Sequence, residues 1–241
     1  MSRPVRAAAL ACLLALPSPA ALGADKPVSC PNLAGAEKLV LVLGPSLNSI
    51  SARLQLYERQ GAGDWKAAGK AKPAMLGKNG MAWAWSDRQF AGSDRIKAEG
   101  DQRTPAGFFP LGKPFGFSSG PAGYVRLSPG ENYCVDDPTS THYNTIVAKA
   151  AAGGASGEDM GTVPLYRQGL FVDYPTNAQL KGGSCIFVHT WRARGSGTAG
   201  CVAMAERDVQ QLQHWAEGKR TVIGILPQSA WKALRSCFPG I

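Results

Sequence analysis

Several features that would make a function easy to assign are scarce in this chain. It has three histidines in 241 residues, 17 acidic residues against 26 basic ones, no internal repeat and no low-complexity linker. The basic residues are scattered: there is no Lys/Arg run and no interleaving of basic and aromatic residues. That excludes a nucleic-acid groove and leaves a solvated basic surface. Long apolar runs are missing as well. The N-terminal apolar core, Ala7 to Leu16, is about half of the roughly 20 residues that span a bilayer, and Pro17 and Pro19 follow it.

That short core has the form of a leader. Arg3 and Arg6 precede it, and small residues fit a signal-peptidase site near Gly23 or Ala24. Export to the periplasm or cell envelope is expected, with residues 1–24 removed and no membrane span afterwards. Lipidation of Cys12 is not expected, because the apolar run before it is too short. Loss of Arg3 and Arg6 lowers the formal charge from +9 by two, to +7. An exported basic protein is attracted to anionic polymers such as cell-wall glycopeptide. Five cysteines then remain, Cys30, Cys134, Cys185, Cys201 and Cys237, and an odd number in an oxidising compartment leaves one thiol unpaired.

Past the leader and a short lead over 25–38, the pattern predicts a mainly β domain with few helices. KLVLVLG and ARLQLYERQ read as strands joined by PSLNSI, and DWKAAGK and MAWAWS continue the rhythm of short strands. The Gly-, Pro- and Phe-rich GDQRTPAGFFPLGKPFGFSSGPAGY argues against a long helix and is expected to form ordered loops, turns and strand edges. YNTIVAKAA fits either a short helix or a strand, and GGASGED a flexible loop. GLFVDYP, SCIFVHTW and TVIGILP read as strands. AERDVQQLQHWAEG is helical, with Val209, Leu212 and Trp215 or Ala216 on one face and Gly218 as its stop.

The chemistry concentrates in SCIFVHTWRARGSGTAGCVAM, residues 184–204. Alternation distributes Cys185, Phe187 and Thr190 over the two faces of a strand, and His189 falls where that strand runs out. Cys201 follows Gly200 and precedes VAM and the helix, a setting expected to place its sulfur near backbone N–H groups and the positive helix end, both favouring thiolate. A thiolate attacking a carbonyl needs an imidazole partner and donors for the oxyanion; His189 supplies the first, and the Gly200 and Cys201 amides the second. The pairing predicts a lowered thiol pKa and a raised imidazole pKa. Gly200 also permits a tight turn and close approach of a substrate carbonyl. His142 and His214 lack a partner pattern and read as structural or surface residues. A zinc set of Cys185, His189, Cys201 and His214 is the metal alternative, but its C-x3-H and C-x12-H spacings match no tight structural site, so no metal is expected.

These residues resemble the L,D-transpeptidase family, the YkuD-like catalytic domain of bacterial cell-wall enzymes. The family signature is a histidine, a variable loop, then Ser/Thr-His-Gly-Cys, an apolar residue and Arg or Asn. His189, Thr198, Gly200, Cys201 and Val202 match it, while Ala199 replaces the second histidine and Ala203 the Arg or Asn. RTPAGFFPLG and GSCIFVH resemble further family segments, and TAGCVAM resembles a recognised subset. The resemblance covers roughly Leu39 to Pro227, leaving 228–241 as a C-terminal extension. It implies a β-sandwich-like catalytic domain acting on peptidoglycan stem peptides without a cofactor. Cys201 is the implied nucleophile, and His189 its partner, oriented by the Thr190 carbonyl. The loop residues Trp191, Thr198 and Ala199 are expected to touch substrate. Cys30–Cys237 and Cys134–Cys185 are the expected disulfides, with Cys201 free. Chain order sets the protein apart from papain-like and amidase-type peptidases, whose cysteine comes well before the histidine. An L,D-carboxypeptidase or amidase on the same stems and a non-catalytic wall-binding module are the alternatives.

Overall fold

The computed structural model describes residues 29–33 and 35–241; the leader, Cys12 and the first residues of the lead lie outside them. Most described elements are strands: β1 (Lys38–Gly44), β2 (Ser51–Glu58), β3 (Lys66–Met75), β4 (Met81–Trp83), β5 (Thr104–Gly116), β6 (Val125–Arg126), β7 (Tyr133–Val135), β8 (Ile146–Val147), β9 (Gly157–Asp159), β10 (Gln168–Val172), β11 (Phe187–Thr190), β12 (Val202–Met204) and β13 (Thr221–Pro227). Two helices, α1 (Glu206–Ala216) and α2 (Gln228–Leu234), and several 3-10 turns complete it. The fold is mainly β with few helices.

In the large sheet the order is β10-β11-β12-β3-β2-β1-β13-β5-β4, and β10 also pairs with β5, so the sheet returns on itself. The strand that closes it is the segment expected to be loops. β5 runs thirteen residues, pairing with β13 through Gly107–Pro110 and with β10 through Leu111–Gly116. Because the two ladders use different halves of β5, a proline nitrogen can face away from its ladder without losing a hydrogen bond, and a register shift at Leu170/Val172 marks the bend. Density in Gly and Pro here signals a strand that turns a corner.

β1 lies between β2 and β13, and Leu39–Val42 are buried on both of its faces. α1 buries Val209 and Leu212 in the main core as its periodicity requires, and Trp215 and Ala216 pack at the edge of that core. The C-terminal 228–241 packs onto this core as well: Trp231 and Phe238 are buried, with ring centroids 5.0 Å apart, and Cys237 is bonded to Cys30. YNTIVAKAA resolves into β8 followed by a 3-10 turn, and the end of GGASGED becomes β9. β8, β7 and β9 form a separate three-stranded sheet. Between it and the large sheet lies a second apolar cluster of Phe115, Leu127, Cys134, Met160, Tyr166, Phe187 and Cys201.

Candidate active site

β11 and β12 are parallel neighbours, with Val188 opposite Val202 and His189 opposite Ala203. The register brings Cys201, just before β12, alongside Phe187. The Phe187 N–H donates to Cys201 Sγ at 3.3 Å, and the thiol donates to the Cys185 carbonyl at 3.5 Å. Phe187 and His189 share a face at i and i+2, and the Tyr166 ring stands edge-on to both, at 5.4 and 5.2 Å. Cys201 is the free cysteine among the described residues; the other four form the two expected disulfides. Since Cys185 is bonded to Cys134, it has no thiolate to give a metal, and the zinc set loses a member.

Turn chemistry explains the GTAGC segment. Thr198 Oγ1 donates to the Cys201 carbonyl at 2.6 Å and accepts the Gly200 N–H at 3.1 Å, closing a side-chain-capped turn. The Thr104 hydroxyl also donates to the Cys201 carbonyl, at 3.2 Å. Gly200 has φ +152°, and a Cβ there would lie 3.2 Å from the Arg103 carbonyl oxygen, so the turn requires glycine. The Thr198 hydroxyl is therefore spent on the turn, and of the two amides expected to hold an oxyanion, that of Gly200 is already engaged. Ala199 is exposed at the tip of the turn, and Trp191, half-buried, extends the ladder by donating its N–H to the Met204 carbonyl at 2.7 Å.

His189 Nδ1 lies 2.8 Å from the Thr190 carbonyl oxygen. A carbonyl only accepts, so Nδ1 carries the proton and Nε2 keeps its lone pair. The ionisation of the pair is the reverse of the sequence expectation. His189 is 5% exposed, and burial pushes its pKa down to about 4, opposed by the Thr190 hydrogen bond. Cys201 is 7% exposed, and burial pushes its thiol up to about 12; the Phe187 N–H opposes this, Glu158 adds to it and Lys97 opposes it. At rest both groups are neutral. The helix contribution expected for the thiolate is absent for a geometric reason: Val202–Met204 form a strand, about 10 Å long, between Cys201 and α1. The dipole acts only within about a turn of the helix end.

Sequence reasoning missed the groups that surround the pair. Tyr166 donates to Glu158 Oε2 at 2.5 Å, and Lys97, buried, donates to Asp101 Oδ1 at 2.6 Å. All sit in segments whose only local signal was turn composition. His214 is apart from the site. It lines a polar cleft of about 570 Å³ with Ser118, Gln168, Arg207 and Gln210, and neither Cys201 nor His189 takes part. His142 lies in a turn, its carbonyl accepting from the Thr145 hydroxyl.

Residues 49–223 match the L,D-transpeptidase catalytic domain family, YkuD, and the chain belongs to that family. No curated protein matches the chain significantly. Among solved structures, the helical cell shape determining protein Pgp2 from Campylobacter jejuni is similar at 17% identity and a TM-score of 0.44, and its K307A mutant at 16% and 0.44. In both cases the match covers 88% of this chain and 57% of the other, so this chain spans just over half the length of that protein. Among the described residues no helix is long and apolar enough to cross a membrane.

Proposed function

We propose that the protein is a cysteine-dependent L,D-transpeptidase of peptidoglycan, exported to the periplasm or cell envelope. The observation that carries the reading is the free Cys201 thiol, held by the N–H of Phe187, two residues from His189 on the same strand, together with a His189 Nε2 that keeps its lone pair because Nδ1 is held by the Thr190 carbonyl. As Cys201 Sγ attacks the carbonyl of the third residue of a donor stem, His189 Nε2 takes the thiol proton. The terminal D-alanine leaves with that proton on its amine, and a thioester to Cys201 remains. An amine of another stem then attacks the thioester, His189 takes its proton, and the thiol is restored with a new cross-link. No nucleotide or metal is required, since the donor peptide bond already carries the acyl group.

With both groups neutral at rest, the attack and the proton transfer occur together once substrate fills the site. The burial of Cys201 taken alone favours a second reading, a wall-binding module with an inert thiol. Incubation of the protein with purified muropeptides, followed by mass spectrometry, separates the readings. Cross-linked dimers with released D-alanine are expected. Shortened stems without dimers would make water the acceptor and the enzyme a carboxypeptidase, and unchanged stems would leave the binding module. Cys201→Ala and His189→Ala should each abolish D-alanine release while the far-UV circular dichroism stays that of the parent.

A further inference from the structure

The small sheet of β7, β8 and β9 reaches the Cys201–His189 pair from one ladder position. Cys134 on β7 and Glu158 on β9 are opposite partners, so their side chains share one face. The first is bonded to Cys185, whose carbonyl accepts the Cys201 thiol. The second accepts the hydroxyl of Tyr166, whose ring edge meets His189. One cross-strand pair thus ends, through one further residue on each arm, at the sulfur and at the imidazole.

The backbone at Cys185 shows why a tether is needed. Cys185 has φ +55°, a left-handed conformation that costs a β-carbon-bearing residue about 1 kcal/mol or more. Its carbonyl and the Phe187 N–H meet the same sulfur. The disulfide holds the side chain, and the Cys185 N–H donates to Asn144 Oδ1 at 2.9 Å. Asn144 is itself anchored, its N–H to the Val135 carbonyl at 2.9 Å and its Nδ2 to the Tyr174 carbonyl at 3.0 Å. The residue that receives the thiol is therefore gripped at its side chain by β7 and at its backbone by Asn144 in the connection between β7 and β8.

We propose that this sheet is the positioning clamp of the reaction centre, with Cys134–Cys185 setting the thiol and Glu158–Tyr166 setting the imidazole. It follows that turnover depends on the oxidation state of a disulfide that takes no part in the chemistry. The inference rests on the reading of Cys201 as nucleophile and His189 as its base. None of the four clamp residues is assigned contact with substrate; each acts through Cys201 or His189.

The test uses the full chain and two readouts: kcat and KM for D-alanine release from tetrapeptide stems, and the rate at which iodoacetamide alkylates Cys201. Replacing both Cys134 and Cys185 with serine is expected to lower kcat on the order of tenfold with KM within about twofold, as expected when reacting atoms are slightly misplaced. Alkylation should rise severalfold as the thiol loses its shield. Tyr166→Phe and Glu158→Ala should each lower kcat to a similar extent without changing alkylation, and in combination should cost no more than either alone. Glu158→Gln, which keeps an acceptor, should fall less. If the double serine variant does not fold, the Tyr166 and Glu158 variants decide the matter. Folded variants with the parent kcat, or with a lower thermal midpoint and no kinetic change, overturn the clamp. A Cys201→Ala protein that still turns over would sink the nucleophile reading, whereas parent kcat in the clamp variants beside a dead Cys201→Ala sinks the clamp alone.

Discussion

Alkylation of Cys201 in the free protein is expected to be slow at neutral pH and to climb steeply into the alkaline range. The perturbation is pH alone, and the magnitude follows from the site. With its pKa pushed up to about 12, the thiol is ionised to about one part in 10⁵ at pH 7. An ordinary cysteine near 8.5 is about 3% ionised there, roughly three-thousandfold more. The more basic thiolate is intrinsically the better nucleophile, and a Brønsted slope of about 0.45 returns roughly fortyfold. The folded protein should therefore react about a hundredfold more slowly at pH 7 than the same cysteine in the unfolded chain. The assay is peptide-resolved mass spectrometry of iodoacetamide labelling between about pH 6 and 10, with the chain in urea as reference. The folded rate should rise close to tenfold per pH unit throughout. A rate that levels off below pH 7, or one that matches the unfolded chain there, would mean a thiolate–imidazolium pair exists at rest. The argument from burial would then be wrong.

His189 makes a matching statement about stability. Its folded pKa of about 4 lies below the ordinary 6.5, so the unfolded chain binds the proton first. Stability should fall as pH drops from 6.5 towards 4, by about 3 kcal/mol, and His189→Gln should remove that part of the dependence in urea titrations. Gly200→Ala places a β-carbon at φ +152° beside the Arg103 carbonyl; the expected cost is about 1–3 kcal/mol in thermal denaturation, together with slower D-alanine release. Opening Cys30–Cys237, 207 residues apart in sequence, by replacing both with serine should cost about 5 kcal/mol through the freed unfolded chain, read from denaturant midpoints. An unchanged midpoint would show that the burial of Trp231 and Phe238 secures the C-terminal segment unaided.

Local signals in the sequence were enough for the elements whose partners are close in the chain or whose pattern is periodic. Runs of β-branched, leucine and other apolar residues marked β1, β2, β10, β11 and β13, and the 3.6-residue period marked α1. The segment that sets His189 twelve residues before Cys201, with its Gly200 turn, marked the candidate pair, because strand register and turn chemistry are written into consecutive residues. The odd cysteine count pointed to one free thiol for a similar reason: pairing is arithmetic before it is geometry. Only the tertiary structure decided that the proline-rich stretch is β5, since a strand tolerates Pro110 and Pro114 when separate ladders take its two halves. It also decided the charge of the pair, because desolvation depends on what is packed around Cys201 and His189 and no residue spacing records that. Tyr166, Glu158 and Cys185 became legible for the same reason. Their bearing on the site depends on a small sheet, assembled from segments up to about 50 residues away, folding back over the ends of β11 and β12.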